Sequence, residues 1–96
     1  MRALLIAAAL FVAAPALAQG PASSAVLADA SKAPASPTII DGASWRCEGG
    51  ACTATGGANQ PATRACRRVV ARFGAVSSFS YKGVTLSAEQ LAACNA

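Results

Sequence analysis

The sequence predicts a small α+β domain held by two disulfide bonds, with the element order β-β-β-α-β-β-α. Three observations lead to this fold class. Short runs interrupted by glycine turns have the pattern of β-hairpins, two further segments have helical periodicity, and four cysteines lie on these hairpin and helix segments. We therefore expect two hairpins packed on two short helices, in a single domain without internal repeats.

Residues 1–18 have the pattern of a secretory signal peptide. Arg2 supplies the basic start, residues 3–14 are an apolar run, and Pro15 precedes the small-residue triplet Ala16-Leu17-Ala18. The run is shorter than the roughly 20 residues that a membrane-spanning helix needs. We therefore predict cleavage after Ala18, no membrane span in the mature chain, and a soluble protein in the periplasm or outside the cell.

Residues 19–37 are predicted to be a flexible leader. They are rich in alanine, serine and proline, and Val26 and Leu27 are their only larger apolar residues. Such a segment buries too little surface to offset the entropy of ordering it. The alternative is a short helix over Ser24–Ala30. The folded α+β domain is then expected over residues 38–96, a size at which disulfides are usually needed for stability.

The first three strands are predicted from two turns. Thr38-Ile39-Ile40 is followed by the turn dipeptide Asp41-Gly42, and the next strand leads to a second turn at Gly49-Gly50. The hairpin at Gly49-Gly50 has a definite register, with Glu48 opposite Ala51, Cys47 opposite Cys52 and Trp45 opposite Ala54. Trp45 then shares a face with the two cysteines, so we interpret it as a core residue packed on a disulfide rather than as a binding residue.

The first helix is predicted from an apolar stripe at helical spacing. The stripe consists of Ala62, Ala65, Cys66, Val69, Val70 and Phe73. Pro61 suits the start of this helix, and Gly74 suits a left-handed C-terminal cap. Cys66 is therefore expected to point into the core.

A hairpin and a second helix complete the domain. Lys82-Gly83 is the predicted turn, and it sets Tyr81 opposite Val84 and Phe79 opposite Leu86, all four on one face. The last helix begins at Ser87, which forms a capping box with Gln90, while Leu86 and Leu91 have the spacing of a hydrophobic staple. Cys94 shares a face with Leu91 and is expected to point inward.

The four cysteines allow three pairings, of which geometry favours Cys47–Cys52 and Cys66–Cys94. In the chain-entropy model the longer loop is worth about 3.6 kcal/mol and the shorter loop about 2.2 kcal/mol. The alternative is a thiol-redox or metal-binding role for Cys47 and Cys52. Their spacing is not the C-x-x-C of oxidoreductases, and the other two cysteines are too distant for a typical zinc site. We therefore interpret all four as structural.

The cysteines and the tryptophan stand in a recognisable pattern: Trp45-x-Cys47-x-Gly49-x-x-Cys52-x-Ala54, then Ala65-Cys66-Arg67-x-Val69, then Leu91-Ala92-x-Cys94-Asn95. This pattern resembles that of a family of small exported alphaproteobacterial proteins of unknown function. The resemblance covers roughly residues 39–95. It implies a location and a fold type, and it supplies no catalytic residues.

Four arginines on the polar side of the first helix form the candidate binding site: Arg64, Arg67, Arg68 and Arg72. No acidic residue occurs between Glu48 and Glu89, so these charges are expected to be uncompensated. Guanidinium groups bind phosphate and carboxylate groups in a bidentate manner. The predicted partner is an anionic envelope component or an acidic protein. The alternative is a solvated face that keeps the domain soluble.

Several function classes are excluded or disfavoured. The chain has no histidine, which rules out Ser-His-Asp and Cys-His catalysis. The carboxylates of Asp41, Glu48 and Glu89 fall on separate elements, so we predict no enzyme activity and no cofactor or metal. Export argues against a nucleic-acid partner. A toxin-like peptide is a further alternative for which the sequence offers no positive sign.

Overall fold

The computed structural model describes residues 22–96, which form a two-layer domain of one antiparallel sheet and two helices. The elements are β1 (Ser23–Leu27), a 3₁₀ turn (Ala30–Lys32), β2 (Thr38–Ile40), β3 (Ala43–Glu48), β4 (Ala51–Gly56), α1 (Ala62–Phe73), β5 (Val76–Tyr81), β6 (Val84–Thr85) and α2 (Ala88–Asn95). The six strands lie in the order β2-β3-β4-β1-β5-β6. The predicted α+β class and the element order over residues 38–96 are confirmed. The two predicted hairpins are parts of one sheet.

Strand β1 joins the two halves of the sheet, and it corrects the prediction of a flexible leader over residues 19–37. It pairs with β4 on one side and with β5 on the other. Ser23, Ala25 and Leu27 are buried, while Ser24 and Val26 face outward. The alternative helix over Ser24–Ala30 is not formed either. Strand β1 has small side chains but is stabilised by pairing with two strands that are distant in sequence. The composition of residues 19–37 alone therefore did not predict that this segment is ordered. The predicted signal peptide lies outside the described residues.

The hairpin of β3 and β4 has the predicted register. Glu48, Cys47 and Trp45 lie opposite Ala51, Cys52 and Ala54. The Cys47–Cys52 disulfide links the two strands. Trp45 is 1% exposed and its ring stacks on that of Phe79, with 6.0 Å between the ring centroids. Trp45 is therefore a core residue, as predicted.

The two helices pack on the inner face of the sheet and are joined by the Cys66–Cys94 disulfide. The apolar stripe of α1 is buried, apart from the half-buried Val70. Helix α2 begins with the predicted capping box, in which the Gln90 side chain accepts from the Ser87 N–H at 2.9 Å. Neither helix of residues 22–96 is long and apolar enough to cross a membrane.

The hairpin of β5 and β6 differs from the prediction at one position. Tyr81 lies opposite Val84, and the Leu86 N–H donates to the Phe79 carbonyl oxygen at 3.0 Å. Phe79, Tyr81 and Leu86 are buried, but the side chain of Val84 is 57% exposed. Val84 belongs to a two-residue strand at the edge of the sheet, where no further strand covers it.

Candidate functional site

The candidate arginines lie along the solvent-facing side of α1. Arg64, Arg67 and Arg72 are exposed, and the side chain of Arg68 is 58% exposed. The opposite side of the helix is fixed to the core by its buried stripe and by the disulfide to α2. The arginines are therefore carried by a rigid element. We call Arg64, Arg67, Arg68 and Arg72 the arginine face.

Arg68 is paired with Asp41, which corrects the prediction that the arginine face is wholly uncompensated. The Arg68 Nε donates to Asp41 Oδ2 at 3.0 Å and its Nη2 donates to Oδ1 at 3.1 Å. The Gln60 side chain donates to the same carboxylate at 3.4 Å. Asp41 precedes Arg68 by 27 residues, and the turn between β2 and β3 carries it to the helix. A count of acids near the helix in sequence could not reveal this contact.

This contact shifts the ionisation of both partners. The hydrogen bonds from Arg68 lower the pKa of Asp41, the amide of Gln60 and the charge of Arg64 act in the same direction, and partial burial opposes them. The Asp41 carboxylate in turn raises the pKa of Arg68. Asp41 is therefore ionised at neutral pH and neutralises one of the four arginine charges.

Two shallow depressions flank the Asp41–Arg68 pair. The first, of about 260 Å³, is lined by Ile39, Ile40, Asp41, Arg68, Ala71 and Arg72. The second, of about 420 Å³, is lined by Asp41, Ala58, Asn59, Gln60, Arg64 and Arg68. Arg72 and Arg64 thus stand at opposite ends of the site, two helical turns apart, which is about 12 Å along the axis.

The remaining arginines are available to a ligand. Within the described chain, Asp41–Arg68 is the one ion pair, and Arg64, Arg67 and Arg72 make no side-chain hydrogen bond. The arrangement therefore offers three unpaired guanidinium groups around one fixed pair. Sequence reasoning missed Asp41 and Gln60 as parts of this site. The Asp-Gly turn signal located Asp41 on a loop but did not say which helix that loop meets.

The cysteines form the two predicted disulfides, Cys47–Cys52 and Cys66–Cys94, and residues 22–96 contain no free cysteine. Cys52 is 1% exposed and Cys47 is half-buried. In the same part of the chain no three residues of the ligand types His, Cys, Asp and Glu come together around a possible metal position.

The other two carboxylates of the predicted set are apart from the arginine face. Glu48 is exposed at the end of β3, and Glu89 is exposed in the first turn of α2. Of the three carboxylates considered, the structure brings only Asp41 to the site.

These features define the class: a small disulfide-stabilised α+β domain with an arginine-rich helix. The chain belongs to a family of unknown function, DUF8200, whose model matches residues 6–96. No curated protein and no solved structure matches the chain.

Proposed function

We propose that the protein is an exported, non-enzymatic module that binds anionic groups through the arginine face. The observation that carries this proposal is the set of three exposed guanidinium groups, on Arg64, Arg67 and Arg72, without an ionic partner in residues 22–96. The anionic groups belong to an envelope component or to an acidic protein. The two disulfides and the signal-like residues 1–18 support a location in an oxidising compartment.

The fixed ion pair supports binding by its neighbours. Arg68 is held by Asp41, which leaves Arg64 and Arg72 on either side with room for an anion in each depression. A guanidinium group on a rigid helix loses less conformational freedom than one on a flexible loop when it forms two parallel hydrogen bonds to a phosphate or carboxylate. Dissolved salt screens exposed charges from each other beyond about 10 Å at moderate ionic strength. This binding is therefore expected to weaken as the salt concentration rises.

A pair of matched double variants tests whether the site or the net charge matters. Arg64→Gln with Arg72→Gln removes two charges from the arginine face. Lys32→Gln with Arg46→Gln removes two charges outside the arginine face, from the 3₁₀ turn, where the Lys32 side chain lies beside Gly74 at the end of α1, and from β3. We expect the first variant to bind phosphatidylglycerol vesicles or immobilised polyglutamate at least about tenfold more weakly, which is about 1.4 kcal/mol, and the second to change binding about twofold at most.

The measurement is co-sedimentation or surface-based binding across a salt series. Equal losses in both variants would show that net charge alone drives binding. Absence of binding by the unaltered protein to every anionic probe would refute the proposed function itself.

The alternative role in thiol exchange or metal binding is less well supported. Cys47 and Cys52 are joined to each other, and the sulfur-bearing side chain of Cys52 is buried in the core. Mass spectrometry of the purified protein tests this choice, because free thiols or bound zinc would favour the alternative.

A further inference from the structure

The two edges of the sheet are finished differently. At the β6 edge, where β5 extends past the short β6, the Asn95 side chain accepts from the Val76 N–H at 2.9 Å and donates to the Val76 carbonyl oxygen at 2.7 Å. Asn95 thus takes the place of a neighbouring strand. At the other edge lies β2, and no element of the described chain pairs with its outer side.

The backbone of Ile39 is directed toward this open edge. The two-residue turn at Asp41-Gly42 makes Ile40 and Ala43 the hydrogen-bonded pair that closes the hairpin. Pairs alternate along an antiparallel ladder, so Ile39 and Ser44 form a non-hydrogen-bonded pair. The N–H and C=O of Ile39 therefore point away from β3, where an added strand can reach them.

The side chain of Ile39 strengthens this edge as a docking position. The residue as a whole is 62% exposed, the highest fraction among the exposed large hydrophobic residues of the described chain. An exposed apolar residue with outward-pointing backbone groups is a template for the addition of another strand. Most proteins avoid such a template at the edges of their sheets. Here Ile39 also lines the depression that separates β2 from α1.

Charge lies directly beside this edge. The depression between β2 and α1 is bounded on the helix side by Arg68 and Arg72, of which Arg68 is occupied by Asp41 and Arg72 is unpaired in the described chain. Alternate side chains of a strand point to one face. A strand placed along β2 would therefore direct every second side chain toward the helix that carries Arg72.

We propose that the groove between β2 and α1 binds an extended acidic segment of a partner protein, which adds a strand to β2 and places a carboxylate on Arg72. This inference rests on the proposed anion binding and names its partner class. A peptide strand supplies both the backbone groups that Ile39 needs and a carboxylate for the guanidinium group. A bilayer surface supplies charge but no backbone groups, so it does not account for the open edge.

The probe is a short peptide in which threonine and glutamate alternate, because this order puts every carboxylate on one face of a strand. A peptide of the same composition with its glutamates in one block is the pattern control, and a threonine-lysine peptide is the charge control. We expect the alternating acidic peptide to bind at least about fivefold more tightly than the block peptide, and the lysine peptide not to bind.

Two substitutions at one position separate backbone pairing from charge. Ile39→Pro removes the outward N–H, and it breaks no bond to β3 because that N–H points away from the neighbouring strand. Ile39→Thr removes the apolar side chain but keeps the N–H. We expect Ile39→Pro to weaken peptide binding about tenfold relative to Ile39→Thr, whereas binding to phosphatidylglycerol vesicles is the same for both variants.

A measurement on the unaltered protein tests strand addition to β2 even if the Ile39→Pro variant fails to fold. Amide hydrogen exchange at Ile39 is expected to slow at least about tenfold when the alternating peptide saturates the protein. Unchanged exchange at Ile39, or binding to vesicles without binding to the peptide, would overturn strand addition and leave the proposed anion binding in place. Failure of every anionic probe to bind would refute both strand addition and the proposed anion binding.

Discussion

The hydroxyl group of Tyr81 donates a 2.6 Å hydrogen bond to the carbonyl oxygen of Ala58. This bond ties the end of β5 to the loop that leads from β4 into α1. The neighbouring Lys82 donates from its ammonium group to the Gly57 carbonyl oxygen at 2.7 Å, so two consecutive residues hold the same loop. Because the loop also carries Gln60, which donates to the Asp41 carboxylate, Tyr81 and Lys82 help to position this contact beside Arg68.

Alanine at Gly57 tests this connection. Gly57 has a φ of +110°, and a Cβ there would collide with the Tyr81 hydroxyl and press on the Cβ of Ala43. Gly49 is the matched control, because it also has a positive φ but its Cβ would meet no atom. We expect Gly57→Ala to lower the free energy of unfolding about 1–3 kcal/mol more than Gly49→Ala, as overpacking commonly does. Because φ +110° is also more strained for alanine than the +63° of Gly49, both causes act in the same direction, and equal effects in chemical denaturation would contradict the collision with Tyr81.

Asn95 is predicted to be a stabilising residue although it lies at the end of the last helix. Asn95→Ala leaves the N–H and C=O of Val76 without their side-chain partners, at an expected cost of about 1–3 kcal/mol. Asn59→Ala is the control, because Asn59 is exposed and such surface changes stay within about 0.5 kcal/mol. Urea denaturation of both variants measures the difference. A loss no greater than that of the control would contradict the role of Asn95.

Strand β1 is predicted to be required for cooperative folding of the domain. A chain that begins at Thr38 retains both hairpins and both helices but loses the strand that joins β4 to β5. We expect it to show no cooperative thermal transition, whereas a chain that begins at Ala22 unfolds cooperatively. Circular dichroism during heating checks both. A cooperative transition of the shorter chain at the same temperature would restore the interpretation of residues 19–37 as a leader.

The ionisation of Asp41 is predicted to depend on Arg68. The folded-state pKa of Asp41 lies below the value of about 3.9 for an unfolded aspartate. Its contribution to stability is therefore complete above that unfolded value and is lost as the pH falls through the folded-state pKa. Arg68→Gln should raise the pKa of Asp41, and Arg67→Gln should leave it unchanged because Arg67 is not among the groups that lower it. An NMR titration of the Asp41 carboxyl group measures both, and an unaltered pKa in Arg68→Gln would refute the assignment.

The elements that sequence reasoning predicted correctly are those whose causes are local. The Gly49-Gly50 turn sets the pairing of Cys47 with Cys52, and Ser87, predicted as an N-cap from its capping box, is the N-cap of α2. The Cys66–Cys94 pair follows from two helical faces that both point inward.

The errors concern contacts between distant segments. Ala25 is ordered because it lies between Cys52 and Phe79 in the sheet. The sequence of residues 19–37 does not predict these two partners. Asp41 meets Arg68 because a turn of the sheet ends beside a helix. Such contacts depend on how the layers pack, and single-sequence periodicity describes only the elements within the layers.

The central position of β1 also leads to an expectation about the order in which the domain assembles. The hairpins β3–β4 and β5–β6 close short loops, so their pairing costs less chain entropy than the pairing of β1. Strand β1 must then enter the gap between them and pair on both sides, with partners as far away as Ser80. Contacts of such sequence separation slow folding. We therefore expect the first strand along the chain to pair last, joining the two hairpins into one continuous sheet.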